Sequence, residues 1–268
     1  FDVSEDLKEN LLSKLNKMVF TSATLAVEGK FDYFMKSMGF DKNDKQLSKH
    51  LISSPFDYMN QMRVFIPSDT IDPNSIDFIA ETEVFIDKLI RKTKGHCFLL
   101  FTSYSMLNYL YNKLEKYYNK KDYTLLKQGD YSRNEMIEIF RNAKNPILFG
   151  TDSFWEGVDV QGEQLKSVII VKLPFKVPDD PVTEAIIEHI RENKGNPFNE
   201  FQVPQAVIKF KQGIGRLIRS KSDTGIITIL DNRVITKYYG RKFLNSLPKT
   251  NIIVDSKENI IEIIWASS

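Results

Sequence analysis

The chain has 268 residues, with 37 lysines and arginines against 35 aspartates and glutamates, 42% hydrophobic and 12% aromatic residues, and a single cysteine. That length holds one large or two small domains with a substantial core, and the composition excludes a disordered polypeptide. No apolar run reaches half of the ~18 residues that a membrane-spanning helix needs, and the acidic opening FDVSEDLKEN is unlike a secretion signal, so a soluble protein with no membrane partner is expected. Cys97 alone makes neither an internal disulfide nor a cysteine cluster, which fits a reducing cytoplasm. The net charge of +2 is too small to announce a nucleic-acid partner, so any basic footprint must be local.

In chain order, short apolar runs alternate with amphipathic, lysine-rich stretches, the pattern of strands joined by crossover helices. Strands are expected at 18–22, 63–67, 96–103, 123–126, 146–150, 168–173 and 225–231, with a last one in a tail around 251–265. The near-continuous runs CFLLF and VIIV suit strands covered on both faces, so the fold class is α/β with a mostly parallel sheet. A helix is expected at 31–38. Residues 105–118 space Met106, Leu107, Leu110, Tyr111 and Leu114 for another, and 134–140 continues the theme. Asp180 before Pro181 reads as an N-cap and first-turn proline opening a helix over 182–190, which favours capping over a catalytic pair for Asp179 and Asp180. A further helix begins after Pro204, with Val207, Ile208 and Phe210 on its apolar side, and runs into QGIGRLIRS. The one candidate boundary, Ser53-Ser54-Pro55, divides the chain into 1–54 and 55–268. The first part is too small for a complete domain, so the chain reads as truncated.

Chemistry concentrates in four stretches. Residues 205–221 carry Lys209, Lys211, Arg216, Arg219 and Lys221 with no acidic residue. Three apart, Arg216 and Arg219 share one face if helical and aim two guanidinium forks at one anion, for which a polyphosphate suits. The alternative is a solvated basic face, but interleaved isoleucine and leucine imply burial, and a buried guanidinium requires an anion. Gly213 and Gly215 with Asp231 also imitate a dinucleotide fingerprint, although a helical stretch precedes Gly213 and Ile218 stands where a small residue is required. Residues 148–160 run from an apolar strand into a polar turn holding Thr151, Ser153, Glu156, Gly157 and Asp159. Its Phe154 and Trp155 are either core plugs or a stacking surface for bases. Thr102, Ser103 and Tyr104 follow the CFLLF strand and suit either a phosphate contact or helix capping. Thr21-Ser22-Ala23-Thr24-Leu25 follows KMVF and either bridges two sites or forms a simple turn.

Taken in order, TSATL, FTSY, GTDSFWEGVD and QGIGRLIRS with the following LDNR resemble motifs III, IV, V and VI of superfamily 2 helicases, specifically the DinG/XPD-like branch of DNA helicases. SPFDYMNQMRVFIP is similar to the stretch joining that family's first motor domain to its second. The resemblance covers 16–233, and the last two motifs in this order and spacing carry most of its specificity. It implies a RecA-like sheet with helices on both faces, 1–54 being the remnant of a first motor domain and 55–268 the second. It further implies ATP-driven translocation along single-stranded DNA. Gln212, Arg216 and Arg219 would then face the nucleotide, with one or both arginines acting as fingers on the transition-state phosphate. Glu156, Gly157, Asp159 and Gly215 would lie beside the nucleotide and join its state to the DNA groove. Thr102, Ser103, Tyr104, Thr151 and Ser153 would touch the DNA backbone, and Ser22 and Thr24 would relay closure. Asp152 departs from the small residue expected at its position.

The only Gly-Lys pair, Gly29-Lys30, lacks the phosphate-loop spacing, and no DExH-like box is present. The resemblance therefore puts the ATP cradle and the Mg²⁺ ligands on the first motor domain, leaving no metal site here, and this chain alone is expected to bind single-stranded DNA weakly and hydrolyse no ATP. One cysteine holds no iron–sulfur cluster, and His50, His96 and His189 lack metal-ligand spacing. The alternative role is a nucleic-acid-binding platform in a protein whose main activity is an upstream 3′-5′ exonuclease.

Overall fold

A computed structural model describes residues 3–40, 47–118, 122–155, 160, 164–177 and 180–266, the side chains of Asp152 and Ser153 excepted. In chain order its elements begin with α1 (Ser4–Asn10), α2 (Asp32–Ser37), α3 (Tyr58–Gln61), β1 (Met62–Pro67), α4 (Phe78–Lys92), β2 (Cys97–Leu100) and α5 (Tyr104–Tyr118). They continue with β3 (Thr124–Lys127), α6 (Arg133–Asn142), β4 (Pro146–Gly150), α7 (Asp152–Trp155), β5 (Ser167–Ile170), α8 (Pro181–Glu192) and α9 (Val203–Ile214). The last are β6 (Gly225–Ile229), α10 (Arg233–Thr236), α11 (Gly240–Ser246), β7 (Asn251–Asp255) and α12 (Lys257–Ala266). The chain divides into two compact units, residues 1–54 with 175–208 and residues 55–174 with 209–268.

The second unit is built on a seven-stranded sheet in the order β3-β4-β2-β5-β6-β1-β7, every pair parallel. Its inner strands β2, β4 and β5 are buried at every residue, as their unbroken apolar sequences require. Alternate residues divide between the two faces. Cys97, Leu99, Phe149, Ile169 and Phe65 join one core with α4, α5 and α12, through Phe85, Leu89, Leu107, Leu114, Ile260 and Ile264 among others. On the opposite face Phe98 meets Phe140 of α6 edge-on, and Phe210 of α9 meets Phe243 of α11. Helices thus cover both faces of a RecA-like sheet. Ser132 and Glu135 close a reciprocal capping box on α6.

Two glycines make the second face close. A Cβ on Gly150, at the end of β4, would lie 2.5 Å from the Phe154 Cβ, and one on Gly213 would lie 2.7 Å from the Trp155 ring and 3.1 Å from Leu100. Both aromatics are almost wholly buried, and the Trp155 indole N–H donates to the Phe101 carbonyl at 3.0 Å. Of the two readings left open for this pair, the structure selects the core plug.

In the first unit α8 begins as the Asp180-Pro181 pair predicts. Asp180 accepts the Thr183 N–H at 2.9 Å and pairs with Lys176 at 2.7 Å, and these contacts, Lys176 foremost, hold its carboxyl below the usual carboxylate range. Lys36 pairs with Glu200, and Gln205 donates to the Tyr33 hydroxyl.

Two expectations are corrected. Residues 18–22 form no strand; Phe20 packs edge-on against Phe34 and Phe40 instead. An apolar tetrapeptide becomes a strand only beside another strand, and the described residues of this unit contain only the isolated bridge Val27–Lys30. The tail is not one strand either: after β7, Ser256 accepts the Asn259 N–H and α12 begins, turning Ile260, Ile261 and Ile264 into the core.

The close seating of aromatic on glycine makes a direct prediction. Gly150→Ala and Gly213→Ala should each destabilise the protein by about 1–3 kcal/mol through overpacking. Trp155→Leu should absorb part of the cost of Gly213→Ala, a non-additivity measurable by chemical denaturation of the single and double variants.

Candidate nucleic-acid and nucleotide interface

In an open parallel sheet, functional groups gather where strands end in loops at their carboxyl edge. Here β3, β4 and β2 are consecutive in the sheet, so the loops that follow them are neighbours. The β2 loop enters α5 through Thr102, Ser103 and Tyr104, and the β4 loop carries Thr151. The β3 loop carries Gln128, which joins the other two. Its Oε1 accepts the Thr151 N–H at 2.6 Å and the Thr151 hydroxyl at 3.1 Å, while its Nε2 donates to the Tyr104 hydroxyl at 2.8 Å. Thr151 is buried, Thr102 and Ser103 are half-buried, and Tyr104 is exposed. Ser103 accepts the Met106 N–H at 3.4 Å and pairs with Ser105 at 3.2 Å, so it caps α5. The Ser153 side chain lies outside the described residues, as do Glu156, Gly157 and Asp159.

Trp155 carries this face toward the basic segment, because its ring rests on Gly213 in the last turn of α9. The sequence places Arg216 and Arg219 on one helix face; the structure ends α9 at Ile214 and puts both on the turn that follows. The physical reason is Asp223. Its buried carboxylate accepts the backbone N–H groups of Arg219 and Ser220, each at 2.8 Å, and the Ser220 hydroxyl at 2.6 Å, offering those donors an alternative to helical carbonyls. Gln61, just before β1, donates from Nε2 to the Ser220 and Asp223 carbonyls, both at 2.8 Å. Arg216 is only 2% exposed and Arg219 is half-buried. Gly215 is exposed, its N–H bonded to the Lys211 carbonyl. Burial pulls the Lys211 ammonium below its ordinary pKa. Gln212 is half-buried, and its Oε1 is a buried acceptor with no hydrogen-bond partner among the described residues.

Asp231, the carboxylate of the dinucleotide imitation, is fully buried. Arg233 grips it with two bonds, 2.9 Å from Nε and 2.6 Å from Nη2, and the Leu173 N–H donates to it at 2.8 Å. That carboxylate is already engaged within the protein, and Gly213 lies inside a helix, so the fingerprint reading is overturned. Ser22 and Thr24 lie in the other unit, their hydroxyls 3.2 Å apart in a local turn. His96 bonds the Gln164 carbonyl, His50 pairs with Ser48, and His189 with Asn193. Among the described residues no three His, Cys, Asp or Glu side chains group to hold a metal ion. Cys97 is buried, which raises its thiol pKa and keeps it protonated. No described helix is long and apolar enough to cross a membrane.

Gln128, Asp223 and Gln61 are the residues that sequence reasoning missed. Gln128 was within reach of the rule that ligands gather beyond strand ends, and Asp223, which accepts from residues only three and four positions before it, was within reach of local turn chemistry; Gln61 acts across a sequence separation that no local pattern reports. Asp223→Ala should release the arginine turn, costing roughly 2–3 kcal/mol as three donors lose their acceptor. Hydrogen exchange should quicken at the Arg219 and Ser220 amides while the α5 amides stay protected.

The family model of the helicase C-terminal domain matches residues 86–250, more than half of the chain. The chain is 39% identical over 250 residues to the ATP-dependent DNA helicase YoaA of Haemophilus influenzae, a match spanning 93% of this chain and 38% of that protein. It is 38% identical over 253 residues to the 3′-5′ exonuclease DinG of Bacillus subtilis, spanning 92% of this chain and 27% of that one. The chain thus spans well under half the length of these curated relatives. Its fold is similar to that of an XPD helicase structure, with a TM-score of 0.64 at 18% identity over 94% of this chain and 45% of that one. With the parallel sheet, the hydroxyl-bearing loops and the arginine turn in place, the chain belongs to the helicase C-terminal domain family.

Proposed function

We propose that this chain is the second motor domain of an ATP-dependent DNA helicase. In this role it offers arginines to a nucleotide cradled by a first motor domain and a hydroxyl-lined face to single-stranded DNA. The observation that carries the reading is the continuous packing from Thr151 through Trp155 to Gly213, which ties the loops of the hydroxyl face to the helix that delivers Gln212, Arg216 and Arg219. A shift at either end moves the other, because a closely packed interior transmits displacement rather than absorbing it.

The residues present fit a nucleotide's phosphates. Two guanidinium groups on the segment after α9, Arg219 half-buried and Arg216 almost wholly buried, are the cations offered to the charge that gathers on a transferred phosphoryl group, and the Gln212 oxygen, without a hydrogen-bond partner among the described residues, suits a water or hydroxyl donor. ATP bound at such a site supplies the phosphoryl group whose hydrolysis drives motion. Arg216 and Arg219 hold and neutralise it, and the Asp223 turn fixes the Arg219 backbone so that the guanidinium is placed without reorganisation. The Mg²⁺ that accompanies ATP is assigned to the first motor domain. Residues 1–54, with Ser22 and Thr24, are assigned to that domain as its closing segment, and Thr102, Ser103, Tyr104, Thr151 and Ser153 to the DNA face. Glu156, Gly157, Asp159 and Gly215 are assigned to the link between nucleotide and strand, in a cytoplasmic protein. The similarity to the Bacillus subtilis protein named as an exonuclease favours a second reading, in which the domain serves as a binding platform for an upstream nuclease.

In the full-length protein, Arg219→Ala should lower DNA-stimulated ATP hydrolysis by about 10³-fold, the usual worth of an arginine finger, with single-stranded DNA binding retained. Unchanged hydrolysis, or hydrolysis by the 268-residue chain alone that Arg219→Ala abolishes, overturns the assignment. Strand degradation without any DNA-stimulated hydrolysis selects the platform.

A further inference from the structure

Gln128 lies outside the motif stretches that mark the family, yet it is where the loops after β3, β4 and β2 meet. Its amide has only one workable orientation. The group facing the Thr151 backbone N–H at 2.6 Å must be an acceptor, so it is Oε1, and the nitrogen is left to face Tyr104 at 2.8 Å. An amide nitrogen only donates. The Tyr104 oxygen therefore accepts from Gln128, and its own proton points elsewhere. Tyr104 is the first residue of α5 and 54% exposed, so that proton faces solvent. The Thr151 hydroxyl, by contrast, donates inward to the same Gln128 oxygen at 3.1 Å, and Thr151 is only 2% exposed.

We infer that Gln128 is a positioning residue that sets the polarity of the face: it anchors Thr151 as an internal clamp and fixes Tyr104 as an outward hydroxyl donor to a phosphodiester oxygen of the bound strand. This rests on the reading that the face contacts single-stranded DNA, and it sharpens that reading from a general hydroxyl lining to one oriented donor. Thr151, although numbered among the strand-contacting hydroxyls, then acts through Gln128 rather than on the phosphate.

The test is binding of a fluorescein-labelled oligothymidylate to the 268-residue chain at low salt, comparing Gln128→Met, Gln128→Glu, Tyr104→Phe and the double variants. Tyr104→Phe and Gln128→Met should each weaken binding by about five- to tenfold, the worth of one hydrogen bond to a charged acceptor, and together no more than either alone. The salt slope should not change, because no phosphate-neutralising charge is lost. Gln128→Glu keeps the acceptor for Thr151 and so preserves the loops. Its carboxylate turns the Tyr104 proton inward, so it should weaken binding at least as much as Tyr104→Phe, and by less in the Tyr104→Phe background. Hydrogen exchange at the Thr151 amide should quicken in Gln128→Met and stay slow in Gln128→Glu. If Tyr104→Phe weakens binding while Gln128→Glu binds like wild type, or if the effects of Gln128→Met and Tyr104→Phe multiply, Gln128 does not orient Tyr104 and the inference is overturned alone. If Tyr104→Phe is silent, or the wild-type chain takes up no oligonucleotide, the strand-contact reading falls and the inference falls with it.

Discussion

Two aromatic rings against two glycines organise the working part of this molecule. Phe154 occupies the space that a side chain at Gly150 would fill, and Trp155 occupies the space that one at Gly213 would fill, with its indole N–H tied to Phe101. Because Gly150 ends an interior strand and Gly213 sits near the end of α9, α7 is held between sheet and helix. A ring of fixed shape, buried on all sides and anchored at one polar atom, leaves little freedom to either partner. The segment after β4 and the end of α9 are therefore mechanically one piece.

Polar contacts divide the remaining labour. The sheet and its covering helices are held by apolar burial, while the loops are held by a few side-chain acceptors, the Asp223 and Asp231 carboxylates buried and Gln128 half-buried, each satisfied more than once. Asp223 collects two backbone amides and a hydroxyl, Asp231 is gripped by Arg233 and by Leu173, and Gln128 joins two loops through one amide. Such groups stabilise only when their hydrogen bonds are complete, which makes them specific: a loop that moved by an ångström would leave a buried acceptor unpaired.

Much of the fold was legible because its information is local. CFLLF, PILFG and SVII are apolar without interruption, and only a strand covered on both faces uses such runs, so the parallel α/β class followed. The Asp180-Pro181 opening of α8 and the amphipathic spacing of α5 were equally local. The failures share one cause. KMVF has a strand's composition, but the described residues of its unit contain no strand for it to pair with. The segment after Gly213 has a helix's composition, but Asp223 takes the amide protons of Arg219 and Ser220 that a helix would have used. The tail reads as one apolar run because a strand and a helix, both rich in isoleucine, follow each other with only Ser256 between them.

By itself the sequence determined the class of fold, the strands of the sheet's interior and, through the order and spacing of its motifs, the family, because each of these is written in contiguous residues. Tertiary structure alone decided that Phe154 and Trp155 are buried, that Arg216 and Arg219 stand on a turn, that Asp231 is closed to any ligand, and that Gln128 links two loops. Trp155 on Phe101, Asp231 on Leu173 and Gln128 on Thr151 depend on partners tens of residues away, brought within bonding distance because strands distant in sequence lie side by side in one parallel sheet, whereas the arginine turn is closed by Asp223 only a few residues on.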